Sequence, residues 1–133
     1  AVVGTNLTAI RQKARFGRLS ACCGAGSAGW AAGVGIAYLL GEGLETIEQT
    51  LSNAVVTVSG IICDGAKSSC AAKIAASVDA GILGYTMSKN GQRFEAGDGI
   101  AGNDIEETIE NVGQLASKGM RDTDTEIISI MTK

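Results

Sequence analysis

This chain has four cysteines and no histidine, so soft-metal or redox chemistry in it has to run through sulfur. Two of the thiols share one segment, Gly60-Ile-Ile-Cys-Asp-Gly-Ala-Lys-Ser-Ser-Cys70, with six residues between Cys63 and Cys70. Forty residues separate Cys63 from Cys22, which has Cys23 beside it. Three thiolates around one metal centre or iron–sulfur cluster leave a coordination position open, and an open position is where a substrate can bind. Cys22, Cys63 and Cys70 are the candidate ligands. Adjacent side chains point in different directions, so one of the Cys22–Cys23 pair is read as a ligand and the other is not.

On one unbroken helix, Cys63 and Cys70 would share a face but stand roughly 10 Å apart, at ~1.5 Å of rise per residue. Asp64-Gly65 supplies a break. The expectation is therefore Cys63 at the end of one helix, a loop from Asp64 to Lys67, and Cys70 in the first turns of the next. Ser68 or Ser69 would be its cap. Free N–H groups of that first turn would face the sulfurs, and the helix dipole there favours an anionic centre. The glycine-rich stretch Gly24 to Gly29 would do the same near Cys22. Other readings stay open on spacing alone. Free cysteine is often simply buried. Disulfides need an oxidising compartment. A zinc site without histidine would need both Cys22 and Cys23. Asp64 and Lys67 either line the site or cap and solvate helix ends, and Asp98, between two glycines, reads as a turn residue.

The elements that must position these thiols read as helices. Asn6 to Leu19, capped by Asn6, carries Leu7, Ile10, Ala14 and Phe16. Ser20 to Gly29 reads as a turn. Trp30 to Leu40 reads as a buried helix closed by Gly41 and Gly43. Leu44, Ile47, Leu51, Ala54, Val55 and Val58 keep a helical period, read through to Ile62, although Ala54 to Ile62 is β-branched enough for a strand. Lys67 to Met87 shows a stripe of Ala71, Ile74, Ala75, Val78, Ile82, Leu83 and Tyr85. Asn90-Gly91 marks a turn and Gly91 to Gly102 a loop. Asn103 or Asp104 caps a helix with Ile105, Ile109, Val112 and Leu115/Ala116, which Gly119 ends. Asp122 or Thr123 caps a last short helix. The reading is all-α: a compact bundle of five to six short, Gly/Ala-rich helices forming a single domain over residues 1–133.

Composition narrows the function classes. With 19 glycines, no proline and 4% aromatics, the elements must pack through small residues rather than large rings. A net charge of −3 argues against nucleic acid and membrane surfaces as partners. The basic run Arg11, Lys13, Arg15, Arg18 reads as a solvated face or a contact within the protein. No apolar run approaches the ~18 residues of a membrane span. No basic segment followed by an apolar one opens the chain, which points to a reducing, cytoplasmic setting. The start on Ala rather than Met reads as part of a longer polypeptide.

Three stretches carry a resemblance: Ser20-Ala-Cys-Cys-Gly24 and the Gly/Ala helix after it; Ser59-Gly-Ile-Ile-Cys-Asp-Gly-Ala-Lys-Ser-Ser-Cys-Ala-Ala-Lys73; and Gly97-Asp-Gly-Ile100 with Gly119-Met-Arg-Asp-Thr-Asp124. Together they resemble the α-chain of the bacterial iron–sulfur L-serine dehydratases, most of all its L-cysteine desulfidase branch, over the C-terminal portion of that longer polypeptide. The resemblance implies a helical fold and a [4Fe–4S] cluster on Cys22, Cys63 and Cys70, with Cys23 excluded. It implies a small amino-acid substrate and α,β-elimination to pyruvate and ammonia, releasing sulfide from cysteine or water from serine, without pyridoxal phosphate. The desulfidases carry a proposed cysteine base in a Gly-Cys-Thr-Glu-Pro-like segment that is absent here. The catalytic base is therefore unknown, and this chain alone is expected to be inactive. The serine dehydratases carry a cysteine near their C-terminus; Ile130-Met-Thr-Lys133 has none, which favours the desulfidase side. The alternative is a non-catalytic helical interaction domain of the same descent. A chain lacking part of its fold is expected to bind the missing N-terminal part, or to form a homo-oligomer, through an exposed apolar face.

Overall fold

The computed structural model describes residues 1–16 and 20–133; Arg18 and the expected helix end at Leu19 lie outside them, as does the Phe16 side chain. Among the described residues six α-helices follow one another: α1 Val2–Phe16, α2 Gly24–Leu39, α3 Leu44–Thr57, α4 Ser69–Lys89, α5 Ile105–Gln114 and α6 Arg121–Met131. A π-helical turn, Leu115–Gly119, joins α5 to α6. The all-α reading holds. Among the described residues no helix is long and apolar enough to cross a membrane.

α2 is the central element, packed on α1, α3 and α4. It meets α4 almost backbone to backbone. A Cβ built on Gly33 would lie 2.6 Å from the Gly81 carbonyl oxygen and 2.7 Å from the Gly81 Cα. On the other side of α4, a Cβ on Gly84 would lie 2.5 Å from the Thr50 carbonyl oxygen of α3. Glycine at these places is a packing requirement, because any side chain would meet main chain that cannot rotate away. Around this seam Trp30, Val34, Leu51, Ala54, Val55, Ala80, Ile109, Val112 and Ala116 form the core, together with Cys22.

Several boundaries differ from the sequence reading. α1 begins at Val2, so Asn6 is inside it and caps nothing. α2 begins at Gly24, within the stretch read as a turn. α3 stops at Thr57 rather than running to Ile62, and the β-branched tail behind it becomes extended chain. α6 starts at Arg121 behind Met120, not behind Asp122 or Thr123. The largest change is on α4. Its buried face is Ser77, Ala80, Gly81, Gly84 and Ser88, whereas Ile74, Ile82 and Leu83 of the expected stripe face outward. Close approach to a glycine-rich α2 admits only small residues, so shape outranked hydrophobicity in choosing the inner face.

The polar details support the frame. Asp104 caps α5, its Oδ1 accepting from Glu107 N at 2.8 Å, while Glu107 accepts from Asn103 N at 2.7 Å. The arrangement resembles a capping box, except that Glu107 reaches the N–H of the residue before the cap rather than that of the cap itself. Buried Asn53 donates to Gln92 O at 3.1 Å and accepts from Phe94 N at 3.2 Å, tying the loop after α4 onto α3. From the basic run, Arg11 pairs with Glu106 and Arg15 with Glu110, joining α1 to α5.

Candidate metal centre

Three separate parts of the chain meet at the thiols. Residues 21–23 lie antiparallel to residues 61–63 in one isolated bridge, with Cys22 opposite Ile62. Cys23 N donates to Ile61 O at 3.0 Å, and Cys63 N donates to Ala21 O at 2.6 Å. These two bonds flank the Cys22–Ile62 pair rather than joining it, the pattern of a non-hydrogen-bonded antiparallel pair. Side chains alternate sides along extended chain. Cys22 therefore shares a side with Ile62, and Cys23 shares the opposite side with Cys63.

Burial agrees with that division. Cys22 is 3% exposed and belongs to the apolar core. Burial pushes its thiol up, the neighbouring Cys23 adds to this, Lys13 opposes it and Cys63 adds a little more. A desolvated thiol that resists ionisation is a poor metal ligand until something displaces its proton. Cys23 is the N-cap of α2, and its carbonyl accepts from Gly26 N at 3.0 Å. Cys63 and Cys70 are half-buried.

Cys63 is in extended chain after α3, not at a helix end. The turn that follows uses Gly65 at φ +96°, a left-handed conformation that favours glycine. Cys70 sits in the first turn of α4, as expected, and its Sγ donates to Gly65 O at 3.6 Å. The expected free N–H groups there are not free. Cys70 N donates to Lys67 O at 2.9 Å and Ala71 N to Ser68 O at 3.1 Å, a tightened first turn. Ser68 occupies the N-cap position without a side-chain capping bond.

The residue that sequence reasoning passed over is Lys73. Its Nζ donates to Ile62 O at 2.7 Å and pairs with Asp64, so it grips the residues on both sides of Cys63. Lys67 takes the other oxygen of Asp64. Hydrogen bonds from Lys67 and then Lys73 hold the Asp64 carboxyl far below the usual carboxylate range. The Lys73 ammonium is raised, first by its hydrogen bond to Asp64; partial burial opposes this, and the charges of Asp64, Cys23 and Cys70 add to it. One cation thus stands within electrostatic reach of Cys23 and Cys70 while touching the flanks of Cys63. The signal was present in the sequence: Lys73 is three residues beyond Cys70, on the same helix face.

Of the other candidates, Asp98 accepts from Glu95 N at 2.8 Å and closes its own turn. Among the described residues, no three thiols or carboxylates are gathered as a ready metal cage. The thiols are neighbours in the fold, and ligation would have to draw them together.

The model of the family described as "Serine dehydratase alpha chain" matches residues 1–129. A UPF0597 protein of Desulfitobacterium hafniense is 57% identical over 131 residues, covering 98% of this chain and 30% of its own length. A UPF0597 protein of Finegoldia magna is 55% identical over 127 residues, covering 96% of this chain and 30% of its own length. One from Treponema denticola is 46% identical over 132 residues, covering 99% and 31%. The chain thus spans about a third of the length of these relatives. No solved structure matches it. With 129 of its 133 residues matched by that model, the chain belongs to the serine dehydratase alpha chain family.

Proposed function

We propose that this chain is the cluster-holding part of an iron–sulfur amino-acid lyase that converts L-cysteine and water to pyruvate, ammonia and hydrogen sulfide. The observation that carries the reading is the meeting of residues 21–23, residues 61–64 and the start of α4, where Cys23 N donates to Ile61 O, Cys63 N to Ala21 O and Lys73 Nζ to Ile62 O. Thiolate sulfur is the donor that iron–sulfur clusters take, so the donor set suits a [4Fe–4S] cluster. When bound by three thiolates, such a cluster supplies a Lewis-acidic iron with an open position.

The chain's own residues have definable tasks. Cys63 and Cys70 supply two sulfurs from either side of the Gly65 turn. For the third position Cys22 was expected, and we take Cys23 instead. Cys23 shares the Cys63 side of the bridge, whereas Cys22 is committed to the core. Lys73 places positive charge near Cys23 and Cys70, which lowers the cost of gathering negative charge there. The bridge and the Trp30 core behind it close the inner side of the site to water. No residue of this chain is assigned as the base for the substrate Cα proton, since the Gly-Cys-Thr-Glu-Pro-like segment that carries a proposed base in the desulfidases is absent from this sequence.

L-Serine, losing water in place of hydrogen sulfide, is the second substrate to compare, since the family description names serine. The test is anaerobic iron and sulfide loading of the protein at its natural length, wild type beside Cys63→Ala, followed by an iron count and pyruvate assays with each amino acid. About four irons per protomer with a broad absorption near ~400 nm, lost in the variant, supports the cluster. Sulfide release that outpaces turnover of serine supports cysteine as substrate. Iron retained by Cys63→Ala sinks the assignment of the site.

A further inference from the structure

We propose that Lys73 is a positioning residue that fixes Cys63 against Cys70; this rests on the reading of both thiols as ligands. Cys63 lies in a segment without regular structure, held to residues 21–23 by only two backbone bonds. The turn beyond it contains Gly65, and no helix anchors it before Ser69. Such a segment has many conformations available, and two-thiol ligation needs one of them.

Lys73 removes that freedom from the helix side. It stands one turn past Cys70 on α4, so its backbone and that of Cys70 move together. Its Nζ reaches Ile62 O at 2.7 Å and the Asp64 carboxylate, the two neighbours of Cys63. The strap therefore runs from the helix carrying one thiol to both sides of the residue carrying the other. Lys67 also pairs with Asp64, but both belong to the same turn, so that pair adds charge without tying the turn to α4. The contrast separates position from electrostatics: the two lysines bring equal charge to Asp64, and only one spans two elements. Lys73 is also the less exposed of the two, as a structural tie should be.

The test titrates the metal-free, natural-length protein with Co²⁺ under anaerobic conditions and reads the thiolate-to-cobalt charge-transfer band. Cys63→Ala sets the baseline, and circular dichroism confirms that each variant keeps its helices. Lys73→Met is expected to weaken cobalt binding about 10- to 100-fold, the usual effect of removing a residue that orients a ligand. Lys73→Arg, which can still donate to both partners, should recover most of the loss. Lys67→Met should cost less than about fivefold, as for an exposed ion pair. Amide exchange over residues 61–66, without metal, should speed up in Lys73→Met and not in Lys67→Met. If Lys73→Met loses its helices, Asp64→Asn, which cuts one of the two anchors, carries the same comparison with the same expected direction. A Lys73→Met protein that binds cobalt within twofold of wild type, or that loses no more than Lys67→Met, overturns the proposal and leaves the cysteine assignment standing. A wild type with no charge-transfer band that Cys63→Ala abolishes overturns the cysteine assignment and the role of Lys73 together.

Discussion

Gly33→Ala adds one methyl group where α2 crosses α4, and two effects of opposite sign compete there. Alanine is the better helix former by about 1 kcal/mol in a helix interior. Against this, the new Cβ would stand 2.6 Å from the Gly81 carbonyl oxygen and 2.7 Å from the Gly81 Cα. Ordinary contact between carbon atoms is about 3.5–4.0 Å. Both obstacles are main chain, so no rotamer change relieves them, and α2 and α4 must separate by about 1 Å along the seam. That separation loosens Trp30, Val34 and Ala80 of the core. Overpacking of a tight interior costs about 1–3 kcal/mol, sometimes more, and the backbone character of the clash sets this site at the upper end. The net expectation is a loss of about 2 kcal/mol. Gly4→Ala is the internal control. It lies within α1, and a Cβ there meets nothing within 4 Å. The same chemical change should stabilise by about 0.5 kcal/mol. Urea denaturation of both variants, compared at equal m-values, reads the two signs. A Gly33→Ala protein as stable as wild type would refute the backbone-contact account of the α2–α4 interface.

Three further outcomes follow from named contacts. Cys22→Ala removes one buried sulfur and should cost about 1 kcal/mol of stability, by analogy with a buried methylene plus a small void, while retaining iron after anaerobic loading; Cys23→Ala should lose the iron, and the reverse pattern would restore Cys22 as the third ligand. Hydrogen bonds from Lys89 and then Tyr85 hold the Glu42 carboxyl below its ordinary value; its contribution to stability is therefore complete above the usual carboxylate range and is lost as pH falls through the lowered value. Glu42→Gln should accordingly be less stable than wild type at neutral pH and match it in strong acid, which thermal melts across pH will show. Asp104→Ala removes the α5 cap and should cost about 1 kcal/mol in chemical denaturation.

How far the sequence was legible depended on the kind of force involved. Periodicity found the inward faces of α3 and α5, with Leu51, Ala54 and Val55 on one and Ile109 and Val112 on the other, although Leu44 of the α3 stripe is exposed and α3 ends at Thr57 rather than Ile62. The same rule chose the wrong face of α4. Ile74, Ile82 and Leu83 are its large apolar residues, yet the partner surface is glycine, and only Ser77, Ala80, Gly81 and Gly84 are small enough to meet it. Complementarity of shape belongs to the pair of helices, and one helix's sequence does not contain it. The thiols followed the same division. Spacing singled out Cys63 and Cys70 as candidates and placed a turn between them, and the chain does turn there at Gly65. It gave no means of ranking Cys22 against Cys23, because a single backbone bridge to residues forty positions away decides which side each one faces. Lys73 was passed over for a related reason: its partners are a carbonyl and a carboxylate brought to it by the turn after Cys63.

Val2, Leu7 and Ile10 of α1 are exposed, as are Tyr38, Leu39, Leu40 and Leu44 at the α2–α3 corner. A groove between α1, α3 and α5 has Leu7, Ile47, Leu51 and Ile109 in its walls. Exposed apolar surface can mark an interaction site, and the chain spans only about 30% of the length of its relatives.

The α2–α4 seam has a further consequence, for heat capacity. Glycine and alanine have no rotamers to freeze, so the glycines and alanines at this seam add no side-chain entropy cost when the helices join. They also withdraw little apolar area from water when they pack. The heat-capacity change of unfolding tracks that area. This chain, with its 4% aromatics, should therefore unfold with a heat-capacity step below that of an ordinary domain of its length. Its stability curve is then broad and shallow: it resists cold better than a large apolar core would, and it changes little between a cool environment and a warm one.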